Sequence, residues 1–222
     1  MNRFDSFLTD LPRVKNAGEL CDLICKLGLY QDKRGLYGTF ERFQVRWGGV
    51  WQDPMELATF LWNSRDDFKA CNSFLEIGTW TGYSFFIIYN FLRVFSNPAI
   101  TGKTIDPSVY FKGRSIDPYS CCIIEQIAPY VLPYYQQCTS DDLKGEAFDL
   151  VFIDGCHEAP WPRRDFDNVK QHASLVFFHD IDDRWCPDVV STFKTLSQEY
   201  RTKRYIHSNV GNTFGIGLVF IK

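Results

Sequence analysis

Residues 73–84 read Ser-Phe-Leu-Glu-Ile-Gly-Thr-Trp-Thr-Gly-Tyr-Ser, an apolar strand that closes on an acid and runs into a glycine turn opening a helix. Gly78 and Gly82 let the chain turn tightly and let backbone amides approach a bound group, while Glu76 stands where it can reach a hydroxyl or an ammonium. This layout suits a nucleotide-like ligand held at the end of a strand.

Working outward, hydrophobic patterning alternates between strand and helix. Apolar residues Leu20, Leu23, Ile24 and Leu27 recur at helical spacing over 16–29, and Pro54 starts a second helix with Leu57, Phe60 and Leu61 on one face. Between them, 30–52 is rich in Gly, Arg and aromatics, including Trp47 and Trp51, and reads as loop. Strands are expected at 74–77, 100–105, 134–137, 148–153, 175–178, 204–206 and 214–221, with helices at 82–95, 120–130, 162–171 and 189–199. The pattern predicts an α/β, Rossmann-like, doubly wound fold: a mostly parallel seven-stranded sheet with helices on both faces. Residues 1–52 form an N-terminal helical and loop extension, a cap or dimer contact, and 53–222 the main domain.

Composition narrows the function. The 222 residues suffice for one such domain, and a net charge of −3 with interspersed signs lacks the basic surface that nucleic acid needs. The eight cysteines contain no Cys-x-x-Cys pair and no secreted framework, so they read as reduced thiols. The N-terminus does not resemble a signal peptide, and the longest apolar stretch, 83–95, is shorter than a membrane span and carries Asn90 and Arg93. A soluble, cytoplasmic protein is expected, with no membrane partner.

In such a sheet ligands sit at the carboxyl ends of strands, where this sequence places Glu76, Asp106 and the run Ile153-Asp154-Gly155-Cys156-His157-Glu158. Asp106 lies roughly 20 residues beyond the glycine turn, the spacing of an acid that holds a ribose diol. That spacing fits NAD and S-adenosylmethionine equally. The turn lacks the third glycine of the pyrophosphate fingerprint and is preceded by a carboxylate, which repels a pyrophosphate and attracts an ammonium. S-adenosylmethionine is therefore the preferred ligand. Ser115-Ile116-Asp117-Pro118 nearly repeats Thr104-Ile105-Asp106-Pro107; Asp106 is favoured as the ribose acid because Ala99 and Ile100 lead into its strand, and Asp117 reads as a helix cap.

Over roughly 50–222 the sequence resembles the class I S-adenosylmethionine-dependent methyltransferases, and within them the small metal-dependent sugar and glycan O-methyltransferases of the macrocin type. The resemblance is carried by Phe-Leu-Glu-Ile-Gly-Thr-Trp-Thr-Gly-Tyr-Ser, Thr-Ile-Asp-Pro, Phe-Ile-Asp-Gly-Cys-His-Glu with Asp165 beyond it, and Phe-Phe-His-Asp-Ile. It implies that Gly78 and Gly82, with Glu76, Thr79, Trp80 and Ser84, surround the methionine end of the cofactor. Asp106 then takes the ribose, Thr139 and Ser140 flank the adenine, and Asp154 and Gln52 complete the cofactor site. Trp80 in the turn and Gln171-His172-Ala173 before the fifth strand depart from the family pattern.

Two of the four histidines, His157 and His179, fall at strand ends. Asp154 and Asp180, with His179 as a third ligand, can hold a divalent ion, and Mg²⁺ suits the oxygens. An alcohol is a poor nucleophile until a cation lowers its pKa or a base takes its proton, and His157 is placed to be that base. The competing readings are a backbone-bonded Asp154, a helix-capping His157 and a structural His179-Asp180 pair. Asp165 reads as a solvated acid near a helix N-terminus. Trp161, Arg163, Arg164, Asp182, Asp183 and Arg184 are candidates for an acceptor wall. The expected activity is transfer of a methyl group to a hydroxyl of a sugar or glycan. A catechol or phenol acceptor, a non-catalytic cofactor-binding protein and an NAD-linked oxidoreductase are the alternatives.

Overall fold

The computed structural model describes residues 2–29, 52–107, 127–143, 145–207 and 214–222. Within them β1 (Ser73–Ile77), β2 (Thr101–Ile105), β3 (Tyr135–Gln136), β4 (Leu150–Ile153), β5 (Leu175–Phe178), β6 (Arg201–Tyr205) and β7 (Ile216–Phe220) make one sheet in the order β3-β2-β1-β4-β5-β7-β6. All neighbours run parallel except β7, which is antiparallel to both β5 and β6. The expected seven-stranded α/β architecture is the one observed.

Strands β4 and β5, Leu-Val-Phe-Ile and Leu-Val-Phe-Phe, are buried along their whole length, as parallel strands covered on both faces must be. Alternate residues feed two apolar layers. Phe74, Phe152 and Phe177 face one side, where α1 (Arg3–Asp10), α2 (Ala17–Ile24), α3 (Pro54–Ser64) and α4 (Tyr83–Phe95) pack; the Phe152 and Phe177 rings stack at 4.5 Å. Leu75, Val151, Val176 and Phe178 face the other, beneath α6 (Trp161–Val169) and α7 (Pro187–Glu199). The short α5 (Ala128–Val131) precedes β3.

Register decides where chemistry can occur. Ile77 pairs with both Ile105 and Ile153, and Ile153 pairs with Phe178, so these four residues form one level row across β2, β1, β4 and β5. The next residues in each chain, Asp106, Gly78, Asp154 and His179, therefore share the carboxyl edge. Strand order reverses between β1 and β4, which is the crevice where open α/β sheets bind ligands.

Three features differ from the sequence reading. The helix expected over 16–29 is α-helical only to Ile24 and continues as a π-helical turn, Cys25–Leu29. Helix α1 was not anticipated; Asn2 caps it by accepting from the Phe4 and Asp5 amides, and its Phe4 and Phe7 meet Phe86 at 5.4 and 5.3 Å. Strand β6 begins at Arg201 rather than 204, because Arg-Thr-Lys-Arg-Tyr on a sheet edge has little apolar alternation to betray it. The expected loop at 30–52 apart from Gln52, most of the helix at 120–130, Trp47, Trp51 and Asp117 lie outside the described residues. No helix among the described residues is long and apolar enough to cross a membrane.

Gly78 joins β1 to the edge of β4. Its φ is +102°, and a Cβ there would stand 2.2 Å from the Asp154 carbonyl oxygen. Gly78→Ala combines left-handed strain with a backbone clash that neither strand can relieve. It should lose about 3 kcal/mol or more of stability, read as a shift in the urea midpoint; a loss under about 1 kcal/mol would mean that the two strands are not held this closely.

Candidate functional site

The glycine turn is bound to the end of β2. Gly82, at φ +81°, sits at the N-cap of α4, and Trp80 takes φ +41°, an uncommon value for a side chain of its size. The Trp80 amide donates to an Asp106 carboxylate oxygen at 3.3 Å, which sets Asp106 beside the turn as the ribose reading requires. Glu76 is wholly buried. Thr104 Oγ1 donates to its Oε2 at 2.7 Å and is itself 2.7 Å from Thr79 Oγ1, whereas Oε1 has no hydrogen-bond partner among the described residues. Burial pushes the Glu76 carboxyl up to about 8. Thr79 is buried with it in this network, and Ser84 is buried in the first turn of α4.

At the β3 side, Thr139 caps a short turn with Asp142, and Ser140 Oγ donates to Asp165 at 2.6 Å while accepting from Asn168 Nδ2 at 2.8 Å. Asp165 is therefore a buried partner of Ser140 and not a solvated acid; burial raises its carboxyl to about 6. A cavity of about 290 Å³ opens here, lined by Ser140, Asp141, Leu143, Arg164 and Asn168. Arg163 pairs along α6 with Asp167 at 3.1 Å, and Arg164 reaches across to Asp141 of the Ser140–Asp142 turn at 2.6 Å.

Beyond β4 and β5 the structure gathers Asp154, His157, His179 and Asp180. His157 Nε2 lies 3.1 Å from Asp180 Oδ2 and 3.6 Å from Asp154 Oδ1; His179 Nδ1 lies 3.0 Å from Asp180 Oδ1 and 3.5 Å from Asp154 Oδ1. Gln52 Nε2 donates to the other Asp154 oxygen. Asp180 adopts φ +62°, a left-handed conformation that a non-glycine residue holds only when its surroundings impose it. His179 and Asp180 are both buried, yet among the described residues neither His179 ring nitrogen nor Asp180 Oδ1 makes a hydrogen bond, because the ring and carboxylate are close but misaligned.

Donor atoms of Asp154, His179 and Asp180 lie within 4.8 Å of one another, so the three expected ligands fit a divalent ion that would satisfy the misaligned atoms. Electrostatics bear on the expected base. Burial lowers the His157 pKa, but Asp154, Asp180 and Cys186 together raise it far above the ordinary imidazole range. A protonated ring accepts no proton, so a basic role for His157 would require the two flanking carboxylates to be neutralised. His179 is raised in the same way: burial opposes its charge and Asp180 and Asp154 outweigh it.

Sequence reasoning missed Glu56 and Cys186, and it left Asp183 only as a candidate for the acceptor wall. Glu56, buried in the first turn of α3, accepts from the Gly215 amide at 3.0 Å and the His207 amide at 3.1 Å, and its Oε1 stands 4.0 Å from His179 Nε2. Asp183 is buried, not part of an exposed run, and Cys186 beside it donates its thiol to Asp183 Oδ2 at 3.8 Å. The positions of Glu56 just after Pro54 and of Cys186 after β5 were the available signals, but Cys186 read only as one of the reduced thiols. Trp185, 73% exposed with the Arg184 guanidinium 4.9 Å above its ring, also went unremarked.

Residues 75–181 match the family model described as "Methyltransferase domain". The match covers just under half of the chain. The matched stretch spans the glycine turn, Asp106, Ser140, Asp154, His157, His179 and Asp180, while Gln52, Glu56 and Cys186 lie outside it. The fold of the chain is similar to that of the O-methyltransferase TomG from Streptomyces achromogenes, described in complex with SAM, at 16% identity and TM-score 0.52, covering 81% of this chain and 84% of that one. It is likewise similar to an O-methyltransferase from Bacillus cereus, described in complex with SAH, at 14% identity and TM-score 0.53, covering 98% and 96%. No curated protein sequence matches the chain.

The Glu76 carboxyl supplies a stability signature. Between its ordinary value of 4.5 and about 8 the folded chain keeps a proton that the unfolded chain has released. Its contribution is thus complete below the lower value and is lost as pH rises through that window. Glu76→Gln, which cannot ionise, should be more stable than the parent at pH 8 in urea unfolding, with the difference closing by pH 5; parallel pH profiles for the two proteins would refute the burial argument.

Proposed function

We propose that the chain is an S-adenosylmethionine-dependent O-methyltransferase acting on a hydroxyl of a sugar or glycan, assisted by a divalent ion, Mg²⁺ by the hardness of its oxygen ligands. The observation that carries this reading is the convergence on one sheet edge of Asp106 and Glu76 at the switch point with Asp154, His157, His179 and Asp180 beside them. Glu76 suits the ammonium of the cofactor's methionine end: an incoming cation favours its ionised form, and its Oε1 has an acceptor position to offer. Asp106 suits the ribose diol, and the cavity at Ser140 and Asn168 suits the adenine.

An ion at Asp154, His179 and Asp180 would supply positive charge that lowers the pKa of the acceptor hydroxyl. The residues themselves orient and move the proton. Gln52 fixes the Asp154 carboxylate, the left-handed turn at Asp180 directs its two oxygens to the two imidazoles, and His157 Nε2 takes the hydroxyl proton when those carboxylates are neutralised. His157, with 39% of its side chain exposed, is the member of the cluster that an acceptor can meet from solvent. Trp185, one residue before Cys186, offers an exposed ring of the kind that stacks on sugar rings.

Radiolabelled methyl transfer to a panel of sugars, glycans and phenols, with and without chelator, tests the proposal. A sugar or glycan should be methylated in preference to a phenol, and chelator should abolish turnover; unchanged turnover in chelator removes the ion, and phenol preference removes the glycan. Thermal shifts should show stabilisation by S-adenosylhomocysteine and none by NAD, the reverse overturning the cofactor. His157→Gln should lower kcat by about 10²–10⁴-fold while S-adenosylhomocysteine affinity stays the same.

A further inference from the structure

A second set of donors stands next to the first and differs from it in chemistry. His157, Asp180 and Cys186 place one ligand atom each within 4.8 Å of one another, a nitrogen, an oxygen and a sulfur. Asp180 belongs to both sets but turns a different oxygen to each: Oδ1 toward His179 and Oδ2 toward His157. Two of the three residues, Asp180 and Cys186, are buried, and among the described residues His157 Nε2 makes no hydrogen bond despite lying 3.1 Å from Asp180. The partly exposed His157 ring gives the group its path to solvent.

We propose that His157, Asp180 and Cys186 form a binding site for a borderline-soft divalent cation, Zn²⁺ by class, distinct from the harder site at Asp154, His179 and Asp180. Ligand softness separates the two. A thiolate and an imidazole select zinc-like ions, whereas the carboxylate-rich set suits Mg²⁺ or Mn²⁺. Three protein ligands with a fourth position open toward solvent is an arrangement that Zn²⁺ accepts. Binding releases the Cys186 thiol proton and the His157 imidazolium proton to solvent and forms a nitrogen, an oxygen and a sulfur bond to the ion, with no change of oxidation state.

The consequence for catalysis rests on the proposed methyl-transfer reading. An ion bound to His157 Nε2 occupies the lone pair that would take the acceptor proton, so Zn²⁺ inhibits by removing the base. The site itself does not depend on that reading, because it is detected without any acceptor or cofactor.

Co²⁺, which reports its ligands optically, is the probe. Titrated into the reduced full chain, it should give a thiolate-to-metal charge-transfer band in the near ultraviolet, and Zn²⁺ should displace it. Cys186→Ser should abolish the band and weaken Zn²⁺ binding at least tenfold, while its melting temperature without metal and its S-adenosylhomocysteine binding stay those of the parent; Cys156→Ser, a change at the neighbouring exposed thiol, should leave the band intact. His157→Gln, at a partly exposed position, provides a second disruption and should also remove the band. Absence of a charge-transfer band, its survival in Cys186→Ser or in His157→Gln, or its loss in Cys156→Ser overturns the site. Failure of S-adenosylhomocysteine to bind in the same preparation would count against the methyl-transfer reading alone.

Discussion

At the functional edge the glycine after β1 packs directly against the carbonyl of Asp154. At 2.2 Å from a notional Cβ to that oxygen, no other amino acid fits, and the contact is what lets the turn, the end of β2 and the loop after β4 share one edge. Asp106 reaches the turn through the Trp80 amide, and Asp154 reaches the two imidazoles from the other side. A bulkier residue at position 78 would move the acid that begins the β4 loop away from the turn.

Behind that contact lies the stacking of aromatic rings along the sheet. Phe74, Phe152 and Phe177 lie nearly parallel on one face, with interplanar angles of 11° and 12°, and Phe60 of α3 leans on Phe177 at 4.8 Å. Each is a register marker. A one-residue slip of any of these strands would turn its ring to the opposite layer and shift its terminal acid by a full residue. Packing and chemistry are thus set by the same pairing, which is why so much burial surrounds so few polar groups.

This explains what could be read from the residues and what could not. The parallel core strands announce themselves because continuous apolar runs are required of strands buried on both faces, and the strand-end acids follow from knowing where those runs stop. The edge strand β6 and helix α1 were hidden for opposite reasons: one is charged because it lies at an edge, and the other depends on an Asn2 cap and on long-range contacts of Phe4 and Phe7 with Phe86. The clustering of Asp154, His179 and Asp180 was legible because all three follow strands. Glu56 and Cys186 were not, since each enters from an element whose local sequence had a sufficient explanation of its own, and only the fold brings them within reach of His179 and His157. Asp165 was misjudged because helical position predicts exposure only when the neighbouring loop is known to be elsewhere.

The antiparallel strand β7 carries one more implication. Residues 75–181 contain nearly every chemical group discussed, yet the ladder on the far side of β5 is completed by β7, and the carboxylate of Glu56 fastens Gly215 from before β1. Excised, that stretch would leave Leu175–Phe178 as a bare, wholly apolar margin with its amides unpaired, a template for sticking to its own kind. The segment matched by the family model therefore relies on sequence on either side of it to cover that margin.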